Sequence, residues 1–242
     1  MPRPLVSVVL PAYNEVGSLH AVVADATTVL ANMAGHHEIL IVDDGSRDGT
    51  AALADELAAA NDLVRVVHHP SNRGFGGAMA SCFEHARGEW VFLAPADGQI
   101  GMDVLPRFVR ASADAEIIAG RRSTRADGLR RLIASRVFHA IARTLLGLPL
   151  SEFSSCFLFR RDTVSGPWES RPDAAAILPE VLFRARRRHL RIRSLEVEHF
   201  KRTAGEEKGG SLAVAFRTLI DLIRLSIVLR LKRRGGQGSR DR

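Results

Sequence analysis

The chain contains 242 residues, of which 46% are hydrophobic and 25% are charged, and its formal net charge is +7. A chain of this size and composition buries one sizeable core, and its two cysteines, Cys82 and Cys156, exclude a disulfide framework and fit a reducing cytoplasm. No stretch reaches the ~18 uninterrupted apolar residues that a membrane span needs. The first predicted strand begins within a few residues of the N-terminus, so we expect no signal peptide.

The first half of the chain alternates between strand and helix patterns. Short, β-branched apolar runs predict strands at 4–10, 38–42, 63–67, 89–94 and 115–119, and the stretches between them predict helices at 16–33, 48–60, 73–87 and 102–112. This alternation is typical of βαβ units on a parallel sheet. Asp48 and Ser71-Asn72 mark two helix starts, because their side chains accept hydrogen bonds from free first-turn N–H groups. We therefore expect an α/β fold with a mostly parallel central sheet flanked by helices.

After residue 120 the pattern changes. An Arg-rich segment leads into a long amphipathic helix at about 129–146, which Gly147-Leu148-Pro149 ends. A strand at 155–160, a helix at 177–188 and a strand at 191–198 follow. The predicted organisation is one domain over 1–210, an amphipathic basic helix over 211–234 and a disordered tail over 235–242.

The predicted helix at 211–231 is apolar but is interrupted by four charged residues, Arg217, Asp221, Arg224 and Arg230. Together with its basic end, this composition suits a helix that lies in a membrane interface. It suits equally a helix that covers the domain or a partner subunit. Both interpretations stay open on the sequence.

The positive charge is unevenly distributed. The segment 121–143 carries seven arginines, a second group lies between Arg184 and Arg193, and the tail contains Arg230-Leu231-Lys232-Arg233-Arg234. Such patches indicate an anionic partner, either nucleic acid, nucleotide phosphate or acidic lipid, although solvated arginine-rich faces have the same composition. Nucleic-acid binding would require aromatic residues among the basic ones, and 121–143 offers only Phe138. We therefore expect no nucleic-acid partner.

Acidic and amide side chains follow the first two predicted strands. One strand leads into Ala12-Tyr13-Asn14-Glu15 and the next into Asp43-Asp44-Gly45-Ser46. Open α/β sheets hold their ligands at the carboxyl ends of the strands. Two adjacent carboxylates on a glycine-containing turn suit the hydroxyls of a ribose or a nucleobase edge, or a metal ion beside phosphates. The pattern predicts a nucleotide site at this edge.

A glycine-rich segment, Asn72-Arg73-Gly74-Phe75-Gly76-Gly77-Ala78, follows the third predicted strand. Its glycines allow the backbone to come close to a ligand. It lacks the G-x-G-x-x-G spacing of dinucleotide-binding proteins, and it follows the third strand of the series instead of the first. The segment therefore argues against an NAD-dependent enzyme.

Three motifs, Leu10–Glu15, Val42–Ser46 and Asn72–Ala78, resemble in order and spacing those of the family 2 inverting glycosyltransferases. Within that family the chain is most similar to the dolichyl- or polyprenyl-phosphate mannose synthase branch. Ala96-Asp97-Gly98-Gln99 and Arg202-Thr203-Ala204-Gly205 extend the resemblance over roughly residues 5 to 210. The resemblance implies a GT-A fold, a GDP- or UDP-sugar donor, and transfer with inversion to a polyprenyl phosphate, in the cytoplasm with peripheral contact at the inner face of the membrane.

The resemblance also implies roles for individual residues. The residues that it assigns to nucleotide binding are Pro11, Tyr13, Glu15, Asp43, Asp44, Asn72, Gly74 and Ala96. Those that it assigns to catalysis at the diphosphate are Asp97, Arg121 and Arg202. Those that it assigns to acceptor binding are Arg121, Arg131, Glu152 and His199.

One departure from the family concerns the metal. The family motif D-x-D, often D-A-D-x-Q, holds a divalent cation on the donor diphosphate, and here Pro95 replaces its first Asp. Asp97 and Gln99 remain as the implied ligands of Mg²⁺ or Mn²⁺. With only one carboxylate and one amide, this pair should bind the cation more weakly than the complete motif does. If no metal is used, arginines are expected to stabilise the diphosphate instead.

Two alternative functions remain open on the sequence. The first is a soluble glycosyltransferase that acts on a small-molecule or natural-product acceptor. A hydroxyl acceptor of that kind would need a general base, for which Glu152 and Glu180 are the candidates. The second is a non-catalytic nucleotide-sugar-binding protein, which the replacement by Pro95 suggests.

Overall fold

The computed structural model describes residues 5–122, 129–148, 155–170, 176–200 and 219–229. Its centre is a seven-stranded sheet with the strand order β3-β2-β1-β4-β6-β5-β7. The strands are β1 (Val6–Ala12), β2 (His37–Asp43), β3 (Val64–His68), β4 (Trp90–Leu93), β5 (Ile117–Arg122), β6 (Phe157–Arg160) and β7 (Ile192–Val197). The predicted α/β class with a mostly parallel sheet is confirmed.

Helices cover both faces of this sheet. They are α1 (Leu19–Ala31), α2 (Thr50–Ala60), α3 (Gly74–His85), α4 (Leu105–Ala111), α5 (Leu129–Leu146) and α6 (Ile177–Arg187), together with a helical segment at 219–229 and short 3₁₀ turns at Met102–Val104 and Arg161–Thr163. One core cluster packs α1, α2 and α4 on one face, and a second packs α3, α5, α6 and segment 219–229 on the other. This double cover explains why β1, β2 and β4 are apolar on successive residues.

One strand departs from the predicted parallel arrangement. β6 runs antiparallel to both β4 and β5, with Leu93 opposite Phe157 and Ala119 opposite the same residue. Phe157, Leu158 and Phe159 are fully buried, on alternate faces of the sheet. A strand that is buried on both faces has the same residue pattern in either direction, so the local sequence does not indicate its orientation.

A buried ionic network lies at the amino-terminal ends of the strands, at the edge opposite the expected ligand site. Glu38 on β2 is 4% exposed, and its Oε2 accepts a hydrogen bond from Arg65 Nη1 at 2.6 Å. Its Oε1 accepts hydrogen bonds from Ser7 Oγ at 2.5 Å and from the Arg87 N–H at 2.7 Å. The network therefore ties β1, β2 and β3 to the turn that enters β4.

The predicted division at residue 210 stays a prediction, because 201–218 and the tail 235–242 lie outside the described residues. Within the described ranges, no helix combines the length and the apolar character that crossing a bilayer requires. The predicted helix at 211–231 is described only over 219–229, which is helical. Cys82, predicted to be a small core residue, is fully buried on α3.

Candidate functional site

The carboxyl ends of β1, β2 and β4 meet at one edge of the sheet. β1 lies between the other two and pairs in parallel with both, and Ala12 is in register with Asp43. The chain crosses to β2 on one side of β1 and reaches β4 on the other, so the strand order changes direction between β1 and β4. Ligand crevices of open α/β sheets form at such a switch point.

The loops that follow β1 and β2 are joined by reciprocal hydrogen bonds. The Asn14 N–H donates to Ser46 Oγ at 2.9 Å, and the Arg47 N–H donates to Asn14 Oδ1 at 2.8 Å. The Glu15 N–H donates to Thr50 Oγ1 at 2.8 Å. Asn14 holds a positive φ of 51°, a conformation that Asn tolerates better than most residues. The two loops thus form one wall, and the roles of Asn14 and Ser46 in it do not follow from the local sequence pattern.

A serine connects this wall to the segment that follows β4. Ser18 Oγ donates to the Ala96 carbonyl at 2.9 Å and lies 3.2 Å from Glu15 Oε2. Ser18 is 2% exposed, so this contact is shielded from water. The nucleotide-site candidates Glu15 and Ala96 therefore lie on adjoining segments, and Asp97 is the next residue. The acids at 43–44 and at 97 border the same edge of the sheet.

Asp43 serves as an anchor for the loop after β2. It is 2% exposed, its Oδ1 accepts the Ser46 N–H at 3.0 Å, and its Oδ2 lies 3.0 Å from His68 Nδ1. His68 Nε2 in turn lies 3.1 Å from Asp55 Oδ1. The hydrogen bond to Asp43 raises the pKa of His68 above its ordinary value, and Asp55 adds to this effect. Both oxygens of Asp43 are thus engaged by protein groups.

Asp44 is also 2% exposed, but only one of its oxygens is engaged. Oδ1 accepts the Arg73 N–H at 2.8 Å and lies 2.6 Å from His69 Nδ1. Oδ2 accepts no hydrogen bond from any residue that the structure describes. Of the two adjacent acids, Asp44 is therefore the one that retains an oxygen for a ligand.

The turn before α3 packs directly on Gly45. Asn72 Oδ1 accepts the Gly74 N–H at 3.1 Å, and Gly74 has a φ of +80°. Gly45 itself has a φ of +68°, and a Cβ built on it would lie 2.7 Å from the carbonyl carbon of Ser71. Only glycine fits this contact, because both the conformation and the space exclude a side chain. The predicted residues Asn72 and Gly74 are thereby brought beside Asp44.

Gly45→Ala should destabilise the fold by about 1–3 kcal/mol and weaken nucleotide binding, because the added Cβ displaces the Ser71–Gly74 turn. Denaturant unfolding and titration with UDP and GDP measure the two effects. Gly35→Ala is the matched control: its φ is +99°, but a Cβ there would meet only Leu5, at 3.7 Å. Equal losses of stability in both variants would contradict the packing argument.

The segment after β4 forms a tight turn around Asp97. Asp97 Oδ1 accepts the Gln99 N–H at 3.0 Å, and Gly98 follows with a φ of +73°. The Gln99 carbonyl accepts a hydrogen bond from the Phe200 N–H at 2.9 Å. The buried His199 therefore belongs to a segment that lies next to this turn. The predicted metal ligands Asp97 and Gln99 and the predicted acceptor-binding residue His199, which are 102 and 100 positions apart in sequence, thus lie on neighbouring segments.

These residues suit a cation that binds together with a diphosphate. They suit less well a metal ion that protein side chains alone would hold. No group of three or more His, Cys, Asp or Glu side chains is placed to hold a metal in the described ranges. Asp97 retains one carboxylate oxygen, Gln99 adds an amide, and Pro95 adds no side-chain ligand. Mg²⁺ in proteins is commonly held by one or two carboxylates plus phosphate oxygens and water, which suits this set.

The remaining predicted residues belong to the part of the sequence from β5 onward. Arg121, near the carboxyl end of β5, is exposed and forms an ion pair with Glu196 of β7, its register partner. β6 lies between β5 and β4, so the structure brings Arg121 to the same edge as Asp97 but two strands away. Arg131 lies on α5, where its side chain is not described, and Glu152 and Arg202 lie outside the described residues.

Glu180, a candidate general base, is a structural anchor. Its side chain is fully buried, Oε1 and Oε2 each lie 3.0 Å from the Glu169 N–H, and Oε2 accepts the Ser170 N–H at 2.7 Å. Arg184 Nη2 donates to Oε1 at 2.5 Å. Because this carboxylate is fully buried and engaged by three donors, its contacts are those of a structural group and argue against the candidate role of Glu180 as a general base.

The chain is similar to known proteins both in sequence and in structure. The family model "Glycosyl transferase family 2" matches residues 7–165. Undecaprenyl-phosphate 4-deoxy-4-formamido-L-arabinose transferases of Aeromonas hydrophila and Pseudomonas fluorescens are 30% and 31% identical to the chain, over 211 and 212 residues. These matches cover 85% and 86% of this chain but 63% and 61% of the relatives, so the chain spans less than two thirds of their length.

Solved structures show the same fold. Glucosyl-3-phosphoglycerate synthase from Mycobacterium tuberculosis, in complex with Mn²⁺, UDP and glucosyl-3-phosphoglycerate, has a TM-score of 0.69 at 20% identity, covering 92% of this chain and 80% of its own. A mannosyltransferase from Pyrobaculum calidifontis, in complex with GDP-Man and Mn²⁺, has a TM-score of 0.63 at 19% identity, covering 91% and 65%. The predicted GT-A fold is confirmed, and the chain belongs to the family 2 glycosyl transferases.

Proposed function

We propose that the chain transfers a sugar from a nucleotide-diphosphate donor to a polyprenyl phosphate, with inversion at the anomeric carbon. The observation that carries this proposal is the switch in strand order at β1: Asp44 follows β2 on one side and keeps an oxygen that no described residue engages, and Asp97 follows β4 on the other side. The names of the curated relatives, which act on undecaprenyl phosphate, support the acceptor class.

The donor's nucleoside fits the wall formed by the loops after β1 and β2. Pro11, Tyr13 and Glu15 border this wall, and Asp44 Oδ2 is placed to accept a hydrogen bond from a ribose hydroxyl or a base N–H. The amino terminus of α3, which begins at Gly74, adjoins the same wall, and free N–H groups at a helix start favour phosphate. The diphosphate would then extend toward Asp97 at the end of β4.

The main catalytic task is to stabilise the negative charge that develops on the leaving diphosphate. Asp97 and Gln99 would hold Mg²⁺ or Mn²⁺, which supplies positive charge at the phosphate oxygens when bound. Arg202 remains a proposed contributor of positive charge at the donor diphosphate, and Arg121 at both the diphosphate and the acceptor phosphate. A phosphate acceptor is already ionised and needs little help from a general base. The engagement of Glu180 by backbone groups is consistent with such an acceptor.

Segment 219–229 supports contact with a membrane surface. Its inner face is formed by Leu222, Leu225 and Leu229, which are buried against the domain. Its outer face carries Ile220, Ile223 and Ile227, which are 47%, 44% and 53% exposed. The exposed Arg224 lies among these isoleucines, and a basic stretch follows at 230–234. Apolar side chains with flanking cations are the composition of an interfacial helix on anionic lipid.

Replacing Ile220, Ile223 and Ile227 together with glutamine should reduce binding to anionic vesicles by about tenfold or more, because the apolar area available to the bilayer is lost. Vesicle co-sedimentation measures this effect. A control variant carries glutamine at three exposed alanines of α2, Ala52, Ala59 and Ala60. Unchanged vesicle binding in the isoleucine variant would contradict membrane contact, and conversion of a dimer into a monomer would assign the face to a second copy.

The proposed function is tested by incubating the full chain with a panel of UDP- and GDP-sugars and with polyprenyl phosphate in vesicles. Mass spectrometry should detect the lipid-linked sugar together with the released nucleoside diphosphate. Turnover only with water-soluble acceptors would replace the lipid acceptor with a small molecule. Binding of a nucleotide sugar with neither transfer nor hydrolysis would favour the non-catalytic alternative that Pro95 suggests.

A further inference from the structure

We infer that His69 is a positioning residue that holds the Asp44 carboxylate in the orientation the donor nucleoside requires. This inference rests on the proposed function, because it concerns the same nucleotide wall. His69 is the first residue after β3 and is buried, with a side chain that is 5% exposed. Within the part of the chain that the structure describes, His69 has no hydrogen bond to a predicted catalytic residue, and its link to the nucleotide wall runs through Asp44.

The imidazole of His69 spans the distance from the end of β2 to α3. Its Nδ1 lies 2.6 Å from Asp44 Oδ1, and its Nε2 lies 2.8 Å from Ser81 Oγ on α3. Its backbone N–H donates to the Asp43 carbonyl at 2.9 Å, which continues the β2–β3 pairing by one residue. The ring is therefore fixed at both nitrogens and at its backbone.

The donor and acceptor capacities of the neighbouring groups define which way the His69 ring faces. An ionised Asp44 only accepts, so Nδ1 of His69 carries a proton and donates it. The Arg73 guanidinium, which only donates, lies 3.5 Å from Nε2 and 3.4 Å from Ser81 Oγ. Nε2 lies within hydrogen-bond distance of Ser81 Oγ, which is able to donate or to accept. Both ring nitrogens therefore have a partner, and the orientation of the ring follows from these two partners.

The contact with His69 fixes the orientation of the Asp44 carboxylate. His69 and the Arg73 N–H both bind Oδ1, so the carboxylate is unable to rotate without breaking two hydrogen bonds. Oδ2 is left for the nucleoside in a fixed direction, which is the pre-organisation that strengthens binding without a new ligand contact. The neighbouring pair is different: His68 is 38% exposed at its side chain, and its partner Asp43 has both oxygens engaged.

The test compares His69→Ala, His69→Asn and the control His68→Ala in the full chain. The probe is UDP or GDP, whichever the unmodified protein binds more tightly in titration calorimetry. His69→Ala should raise its Kd by about 10–100-fold, because Asp44 loses the group that orients it. Asparagine places an amide N–H near the position of Nδ1, so His69→Asn should restore the Kd to within about threefold. His68→Ala should change it by less than about twofold.

Kinetics separate positioning from catalysis. For His69→Ala the KM for the nucleotide sugar should rise, whereas kcat at saturating donor and the KM for the acceptor should stay near the original values. Ser81→Ala, which removes only the distal partner, provides a milder variant if His69→Ala does not fold, and it should raise the Kd about threefold.

Three results would overturn the inference. The first is a folded His69→Ala variant with unchanged affinity, and the second is a His69→Asn variant that binds as poorly as His69→Ala. The third is an equal loss in His68→Ala, which would indicate general damage to the loop. If the unmodified protein binds neither UDP nor GDP, the proposed function itself is wrong and this inference falls with it.

Discussion

Asp97→Asn should lower kcat by about 10²–10³-fold and should change nucleoside diphosphate affinity in the absence of metal much less. The Asp97 Oδ1 accepts the Gln99 N–H at 3.0 Å, and an asparagine carbonyl oxygen is able to accept the same bond. The turn after β4 is therefore retained while the negative charge is removed. The substitution isolates the role of that charge at the diphosphate.

The measurement is steady-state transfer with and without divalent cation. The unmodified protein should lose activity in saturating EDTA and regain it with Mg²⁺ or Mn²⁺, and Asp97→Asn should regain little. The control is Asp103→Asn, which removes an exposed acid from the nearby Met102–Val104 turn. Activity that survives EDTA, or a kcat within about threefold in Asp97→Asn, would transfer the stabilising role to arginines such as Arg121.

Glu38→Ala should destabilise the fold by about 3–5 kcal/mol, because it removes a buried carboxylate that pairs with the partly buried Arg65 and leaves several donors without their acceptor. The Glu38 carboxylate receives hydrogen bonds from Arg65 Nη1, Ser7 Oγ and the Arg87 N–H. The expected fall in Tm is roughly 6–20 °C for a chain of this size. Since the network lies at the edge opposite the crevice, nucleotide affinity in the folded fraction should be unchanged.

Chemical denaturation followed by circular dichroism measures the change in unfolding free energy. Glu56→Gln, which alters an exposed acid on α2, is the matched control and should stay within about 0.5 kcal/mol of the original. Glu38→Gln keeps the shape of the side chain but not its charge, so its loss of unfolding free energy should lie between the losses in Glu38→Ala and in Glu56→Gln. A Glu38→Ala variant as stable as the control would mean that the buried network contributes nothing measurable.

Much of the fold follows from local sequence patterns. The predicted strand at 38–42 is observed as His37–Asp43, and the predicted helix at 129–146 is observed as Leu129–Leu146. Apolar runs and capping residues predict such elements because they act on near neighbours. Asp48 illustrates this, since its carboxylate accepts hydrogen bonds from both the N–H and the hydroxyl of Thr50 at the start of α2.

The contacts that shape the candidate site depend on strand register. Asp43 is in register with His68, and the same step along the chain brings Asp44 beside His69. Two adjacent acids at the end of β2 and two adjacent histidines at the end of β3 are visible in the sequence, but only the register of the two strands pairs them. Glu180 is a similar case, because its partners at 169–170 come from a loop whose course no local pattern specifies.

The antiparallel β6 has a consequence for how the chain is built. Leu93 and Ala119 belong to strands made early during synthesis, yet both pair with Phe157. Until that phenylalanine has left the ribosome, β4 and β5 each present an open edge, and open edges recruit other chains. We expect a nascent chain stalled before β6 to require a chaperone, and we expect its release to coincide with the emergence of Arg160.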